Sequence, residues 1–223
     1  YAAEALLRIH DKNGNFISPA EAIPILEESG LIIPVGKWII QNAFSMCTEC
    51  RKYYPEFRVS INLSYVQILK SPLMMELKQI IDHSGISCSG IIVELTESGY
   101  LEGTPAVRSV WNDMKKLRIQ IALDDFGTGY SNLMNISNLE PDIVKLDRGF
   151  TLKALSRSYE YQLMQYVIEM VHKLNQYVCV EGVETKEDLE KIKALGPDLI
   201  QGYYYSKPCS RDEFLKKFFG YSE

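Results

Sequence analysis

The sequence lacks any apolar run long enough to cross a bilayer. Charge, glycine or proline breaks each stretch within about ten residues, against the ~20 a spanning helix needs. No signal-peptide pattern opens it, because Glu4 and Arg8 interrupt the only early apolar stretch. The chain is therefore expected in the cytoplasm, free or as the cytoplasmic part of a membrane-anchored protein. Basic excess is also missing: 24 Lys and Arg face 29 Asp and Glu, a net charge of −5. That balance excludes a general footprint for long nucleic acid, so a phosphate ligand would need bound metal or a few local cations. Histidine is scarce, with only His10, His83 and His172. Five cysteines, an odd number, exclude a simple disulfide framework. Cys47 and Cys50 form one CxxC, and a zinc site would need two further ligands; His83 and Cys88 fit no standard spacing. The pair reads as ordinary helix residues. Repeats, low-complexity tracts and Gly/Ser-rich linkers are absent, so the 223 residues read as one domain able to bury a sizeable core.

What is present is alternation. Seven β-rich runs stand out: Ala3–Arg8, Arg58–Leu63, Ile91–Thr96, Gln120–Asp125, Asp142–Asp147, Tyr177–Gly182 and Leu199–Tyr204. Between them lie segments of helical period, including 35–50, 65–85 and 159–176. Gly85, Asn175 and Gly196 mark helix ends, and Thr185 with Asp188 predicts a capping box. Strand alternating with helix predicts βαβ units and a parallel sheet, an α/β fold one strand short of a closed eight-stranded barrel. The sequence opens almost inside a strand, so the remaining strand is expected upstream of Tyr1.

The chemistry-bearing residues share a position. Glu4, Asn62, Glu94, Asp124, Asp125, Lys145, Asp147, Glu181 and Gln201 lie within the strand runs or at their C-terminal ends. In a parallel barrel those ends gather on one face, where active sites of this architecture are built. Carboxylates from five strands on one rim would repel one another unless cations bind there. The donors are hard oxygens without imidazole or thiolate, which favours Mg²⁺ or Mn²⁺ over zinc, iron or copper. The adjacent pair Asp124–Asp125 suits two ions sharing a bridge, and two ions ~3.5–4 Å apart are the usual device for in-line phosphodiester hydrolysis. Lys145, flanked in sequence by Asp142 and Asp147, is expected to be protonated and to hold a phosphate oxygen or the attacking water. A Schiff-base role would need the amine depressed toward neutrality, against the pull of nearby acids. Phe126–Tyr130, FGTGY, reads either as a structural turn or as a loop that orders over substrate. Glu97, three residues after Glu94, is placed to tie that loop by accepting its backbone N–H bonds.

Glu4-Ala5-Leu6-Leu7-Arg8, then PAEAIPILEESGLI, INLS, ELTES, ALDDFGTGYSNL, DIVKLD, VEGVET and IQGYYYSKP follow one another in order. In that series the chain resembles the EAL domain family, over essentially its whole length. The resemblance implies a TIM-like (β/α)8 barrel of the EAL type, residues 1–223 forming one EAL phosphodiesterase domain whose first helix and first strand precede this sequence. Such a barrel would carry an exposed edge. It implies hydrolysis of cyclic-di-GMP to linear pGpG with two Mg²⁺ or Mn²⁺ ions, and inhibition by Ca²⁺. Carried over by position, Glu4, Asn62, Glu94 and Asp124 would ligate the first ion; Asp124, Asp125 and Glu181 would serve the second, Glu181 either through water or as general base. Lys145 and Asp147 would manage the nucleophilic water and phosphate. Glu184 and Gln201 complete the metal-water and substrate shell, Glu97 holds the FGTGY loop, and Leu6 and Arg8 contact the ligand's ribose-phosphate ring. Departures at Ala22, Leu26, Asn132 and Leu146 remove no ligand. A homodimer through 135–158 and an upstream sensory or cyclase domain are expected on the same ground. The alternative is a catalytically silent cyclic-di-GMP receptor.

Overall fold

A computed structural model of the chain describes residues 2–84, 87–96, 104–128, 136 and 139–220. The chain divides into two compact units. The first comprises Tyr1–Leu95, Glu102–Gln120 and Ser210–Glu223; the second comprises Thr96–Leu101 and Ile121–Cys209.

In the first unit, strands β1 (Ala2–Ala5), β4 (Arg58–Asn62) and β5 (Ile91–Thr96) form a parallel sheet in the order β1-β4-β5. The register places Glu4 opposite Ser60 and Asn62 opposite Glu94. Beside it, β2 (Ile9–His10) and β3 (Phe16–Ile17) make a short antiparallel hairpin. Helix α1 (Pro19–Ser29) starts on Ser18, whose hydroxyl accepts from Ala20 N, and stops at Gly30, which takes the left-handed conformation at φ +75°. Helix α2 (Ile32–Arg51) turns Ile40, Phe44, Cys47 and Cys50 inward at helical spacing, against Phe57 and Val59. Helices α3 (Tyr65–Lys70), α4 (Leu73–Ser84) and α5 (Pro105–Lys116) add Ile68, Leu77 and Met114 to this core.

The single helical segment expected over 65–85 is thus two helices. Pro72 supplies no backbone N–H and pushes Ser71 into the extended region, φ −125° and ψ 158°, which ends α3.

In the second unit, β6 (Gln120–Phe126), β7 (Ile143–Leu146), β8 (Tyr177–Val180) and β9 (Leu199–Ile200) run parallel in that order. Helices α6 (Arg148–Ser156), α7 (Ser158–Lys173) and α8 (Lys186–Lys193) connect them. The predicted capping box at Thr185 and Asp188 opens α8. Asn175 at φ +58° and Gly196 at φ +74° follow the ends of α7 and α8, as their sequence positions suggested. Ile143, Val144 and Leu146 are buried, as are Val178 and Val180, so these strands read as near-continuous apolar runs. Each fully buried branched side chain contributes about 1.5–3 kcal/mol. Lys145, 3% exposed within that run, is therefore a costly exception that needs partners.

Helix α9 (Arg211–Phe219) returns the chain to the first unit. Its Arg211 pairs with Glu49, and Phe214 and Phe219 meet the Phe57 ring at 6.0 Å.

All seven predicted strands are present. Most end earlier than the sequence suggested. Tyr177–Gly182 stops at Val180 because Gly182 turns to φ +79°. Leu199–Tyr204 stops at Ile200 because Gly202 lies so close to Val183 that a Cβ there would stand 2.1 Å from its carbonyl oxygen.

Candidate active site

In the first unit, parallel pairing brings Glu4, Asn62 and Glu94 to the C-terminal ends of three adjacent strands. Asn62 Nδ2 donates to Glu4 Oε1 at 2.7 Å. With its amide nitrogen committed there, the Asn62 Oδ1 is the end left to face a cation. Glu94 is 3% exposed, and its carbonyl oxygen accepts from Leu63 N at 3.0 Å, which extends the β4-β5 ladder past Asn62. Beyond β1, Leu6 and Arg8 are both exposed.

The second unit gathers its charges more tightly. A register shift between Leu123 and Phe126 leaves Asp124 and Asp125 inside a bulge, the device by which strands re-aim side chains beside functional sites. Asp125 takes φ +60° and its N–H donates to Asp124 Oδ1 at 2.9 Å. That conformation is uncommon for a residue with a Cβ and stores local strain. Gly127 follows at φ +104°, where a Cβ would stand 2.8 Å from the Phe150 ring; glycine is required at the start of the FGTGY segment.

Lys145 Nζ lies 2.7 Å from Glu181 Oε1 and 3.3 Å from Asp124 Oδ1. Its partners are thus donated by the neighbouring strands, whereas the sequence had pointed to Asp142 and Asp147. Those two acids serve the backbone. Asp142 Oδ2 accepts from Ile121 N at 2.8 Å, and Asp147 caps α6, its Oδ1 accepting from Gly149 N at 2.7 Å and Phe150 N at 3.3 Å. Glu181 follows β8, and its N–H donates to Leu146 O, which carries the β7-β8 ladder up to the acid. Gln201 follows β9, its N–H donating to Val180 O and its carbonyl accepting from Val183 N.

Glu184 brings a residue the sequence reading passed over. Its Oε1 accepts from Arg148 Nη2 at 2.7 Å and Nε at 3.2 Å, and the pair holds the Arg148 guanidinium above its usual pKa. The stem of Arg148 lies over Gly182, where a Cβ would stand 2.4 Å from Arg148 Cγ. A cation directly after DIVKLD, at the first position of a helix, was the available signal. Glu97, Gly129 and Tyr130 lie outside the described residues, and with them the expected tie between Glu97 and the FGTGY loop.

The CxxC lies in the core face of α2. Cys47 and Cys50 are fully buried, and Cys47 Sγ donates to the Phe57 and Gly90 carbonyls at 3.7 and 3.6 Å. Burial pushes both thiols up, Cys50 to about 12, away from the thiolate that zinc needs. Among the described residues no three acidic, thiol or imidazole groups stand preformed as a metal cage. The strand-end donor set of carboxylates and one amide oxygen suits Mg²⁺ or Mn²⁺ by its chemistry.

Parallel strands joined by helices, with acids, an amide and a lysine at their C-terminal ends, define an α/β fold of the TIM-like barrel class. The chain belongs to the EAL domain family, whose profile matches residues 1–208. It is 32% identical over 205 residues to the cyclic di-GMP phosphodiesterase PdeF of Escherichia coli K12, covering 92% of this chain and 27% of that protein. Among solved structures it is similar to the EAL enzyme Bd1971 with cAMP and cyclic-di-GMP bound: 30% identity, TM-score 0.90, over 96% of this chain and 59% of the other. The PaMucR phosphodiesterase in complex with c-di-GMP matches at 27% identity and TM-score 0.87, over 95% of this chain and 86% of the other. The chain spans 25–31% of the length of the curated relatives it matches. No helix among the described residues is long and apolar enough to cross a membrane.

Proposed function

We propose that residues 1–223 act as an EAL phosphodiesterase domain that hydrolyses cyclic-di-GMP to linear pGpG. The observation that carries this reading is Lys145, buried and held between Asp124 and Glu181 in a strand run where an apolar residue would be cheaper. Kinship with proteins named cyclic di-GMP phosphodiesterases supports the choice of substrate.

Glu4, Asn62, Glu94 and Asp124 would hold one Mg²⁺ or Mn²⁺ ion, and Asp124, Asp125 and Glu181 a second. When bound, such ions supply a polarised phosphoryl oxygen and an acidified water. Glu181 takes the proton of the attacking water as it adds to phosphorus. The P–O3′ bond breaks, and the freed 3′ oxygen takes a proton from solvent water to leave a linear product with a 5′ phosphate. Lys145 Nζ stabilises the negative oxygen that builds up, with no reorganisation required because the ammonium is already fixed. Arg8 and Leu6 meet the ribose-phosphate ring, and Asp147, Glu184 and Gln201 complete the substrate shell. Calcium would take the same oxygen donors and is expected to inhibit, because it favours a larger and looser set of ligands than Mg²⁺. The domain works in the cytoplasm as a homodimer through the segment 135–158, joined to a sensory or cyclase domain upstream.

The deciding experiment incubates the chain with cyclic-di-GMP and Mg²⁺ and follows pGpG by chromatography. Product formation that calcium suppresses is the expected result. Tight binding without product would replace the enzyme by a receptor.

A further inference from the structure

Past β1 the side chains alternate: Leu6, Arg8 and His10 are exposed, while Leu7 and Ile9 are half-buried. Leu6, Arg8 and His10 therefore share one face. The hairpin register sets Phe16 opposite His10, and their rings meet edge to face with centroids 5.9 Å apart. The Arg8 guanidinium carbon lies 5.9 Å from the centre of the same Phe16 ring, and Nη1 donates to Leu7 O at 2.9 Å. The turn between the two strands is fixed by Asp11, whose Oδ1 accepts from Asn13 N and Asn15 N, each at 2.8 Å. That turn brings Phe16 back to the face that carries Arg8.

Phe16 is 55% exposed, so its ring gains little from burial, and a β-branched or polar residue would serve a surface hairpin as well. What sets it apart is its place beneath a cation. An arginine in water loses rotamer freedom when it grips an anion, and a ring beside its guanidinium removes part of that cost beforehand. A guanidinium carries five N–H donors, and a ring takes none of them, so those not given to Leu7 O stay available to a phosphate.

We propose that Phe16, braced by His10, is a positioning residue that presents the Arg8 guanidinium to a phosphate of the cyclic dinucleotide. This rests on the reading of Arg8 as a substrate contact. The test is isothermal titration of the whole chain with cyclic-di-GMP in EDTA, which stops turnover. Phe16→Leu weakens binding about threefold to fivefold, whereas Phe16→Tyr and Phe16→Trp stay within about twofold, because they restore the ring. Arg8→Ala weakens binding further, and the double variant Arg8→Ala/Phe16→Leu binds no worse than Arg8→Ala alone. A collapsed hairpin would instead weaken the double variant beyond Arg8→Ala, which overturns the proposal. Unchanged binding in Phe16→Leu, with Arg8→Ala weakened, overturns the proposal alone. Unchanged binding in Arg8→Ala, or none in the parent chain, removes the reading of Arg8 and the proposal with it.

Discussion

Among the described residues the first unit buries an acid in its strands, Glu94, and the second buries a base, Lys145. The contrast extends to the neighbours. Glu4 is held by the amide of Asn62, a neutral donor, whereas Asp124 and Glu181 are held by an ammonium. A neutral hydrogen bond fixes geometry for a net gain of about 0.5–1.5 kcal/mol, and its loss is tolerable. A buried ammonium between two acids is different, because removing it leaves their charges uncompensated. The hydrogen bond from Asn62 to Glu4 is thus cheap to lose in stability, and the buried ammonium of Lys145 is not.

Lys145→Met is the strongest way to break that contrast. It should cut turnover by at least ~10²-fold, the usual loss when a fixed donor to a developing oxyanion is removed. It should also lower stability by about 3 kcal/mol, at the low end for a broken buried pair because Asp124 and Glu181 side chains stay 13% and 20% exposed. Urea unfolding followed by circular dichroism reads the second effect and pGpG formation the first. A variant as stable as the parent would mean Lys145 contributes nothing to holding the two acids. Glu4→Ala is the counterpart. Turnover should vanish, yet the unfolding free energy should fall by about 1 kcal/mol for the neutral hydrogen bond from Asn62. Unchanged turnover would show that the ligand assignment is wrong.

The buried thiols of α2 sharpen the contrast on the side of the first unit. Burial raises Cys50 from 9.0 to about 12, and raises Cys47 as well. The unfolded chain then releases these protons at lower pH than the folded one. The contribution of Cys50 is fully present below pH 9 and is lost as pH climbs toward 12, at up to ~1.4 kcal/mol per pH unit, and Cys47 adds in the same direction. Cys50→Ala should flatten the decline of the urea midpoint between pH 9 and 10.5 relative to the parent. An equally steep decline would place the alkaline lability elsewhere. At neutral pH, Cys209, which is exposed, should react with a thiol reagent long before Cys47 or Cys50.

How much of this was legible in the sequence depends on which force fixed each feature. The strands were legible because β-branched runs buried on both faces leave few alternatives, and the polar residues at their ends stood out against that background. Helix α3 was misjudged as continuous with α4 because apolar periodicity persists across Ser71-Pro72 while the backbone does not. The partners of Lys145 were legible only as members of one rim, not as a pair. Sequence neighbours Asp142 and Asp147 seemed natural, but both carboxylates satisfy backbone N–H groups, and the true partners come from β6 and from the residue after β8 through sheet register. Register is a tertiary property, set by packing across strands far apart in the chain. The CxxC was legible as inert from its lack of further ligands, and its burial in α2 supplies the cause.

Arg148 supplies the smallest expected effect and the finest test of the contrast. Its ion pair with Glu184 joins side chains that are 58% and 38% exposed, so solvent screens it and Arg148→Ala should leave the urea midpoint near that of the parent. If charge in the second unit is coupled to folding only where it is buried, this variant must stay clearly more stable than Lys145→Met in the same urea experiment. The expected order is Lys145→Met far below Arg148→Ala, with Arg148→Ala close to the parent. A large loss in Arg148→Ala would mean that the seat over Gly182, where the arginine stem packs at close range, carries stability that the ion pair does not. Replacement by Met, which keeps the stem and deletes the charge, distinguishes the two: if packing is the cause, Arg148→Met recovers what Arg148→Ala lost.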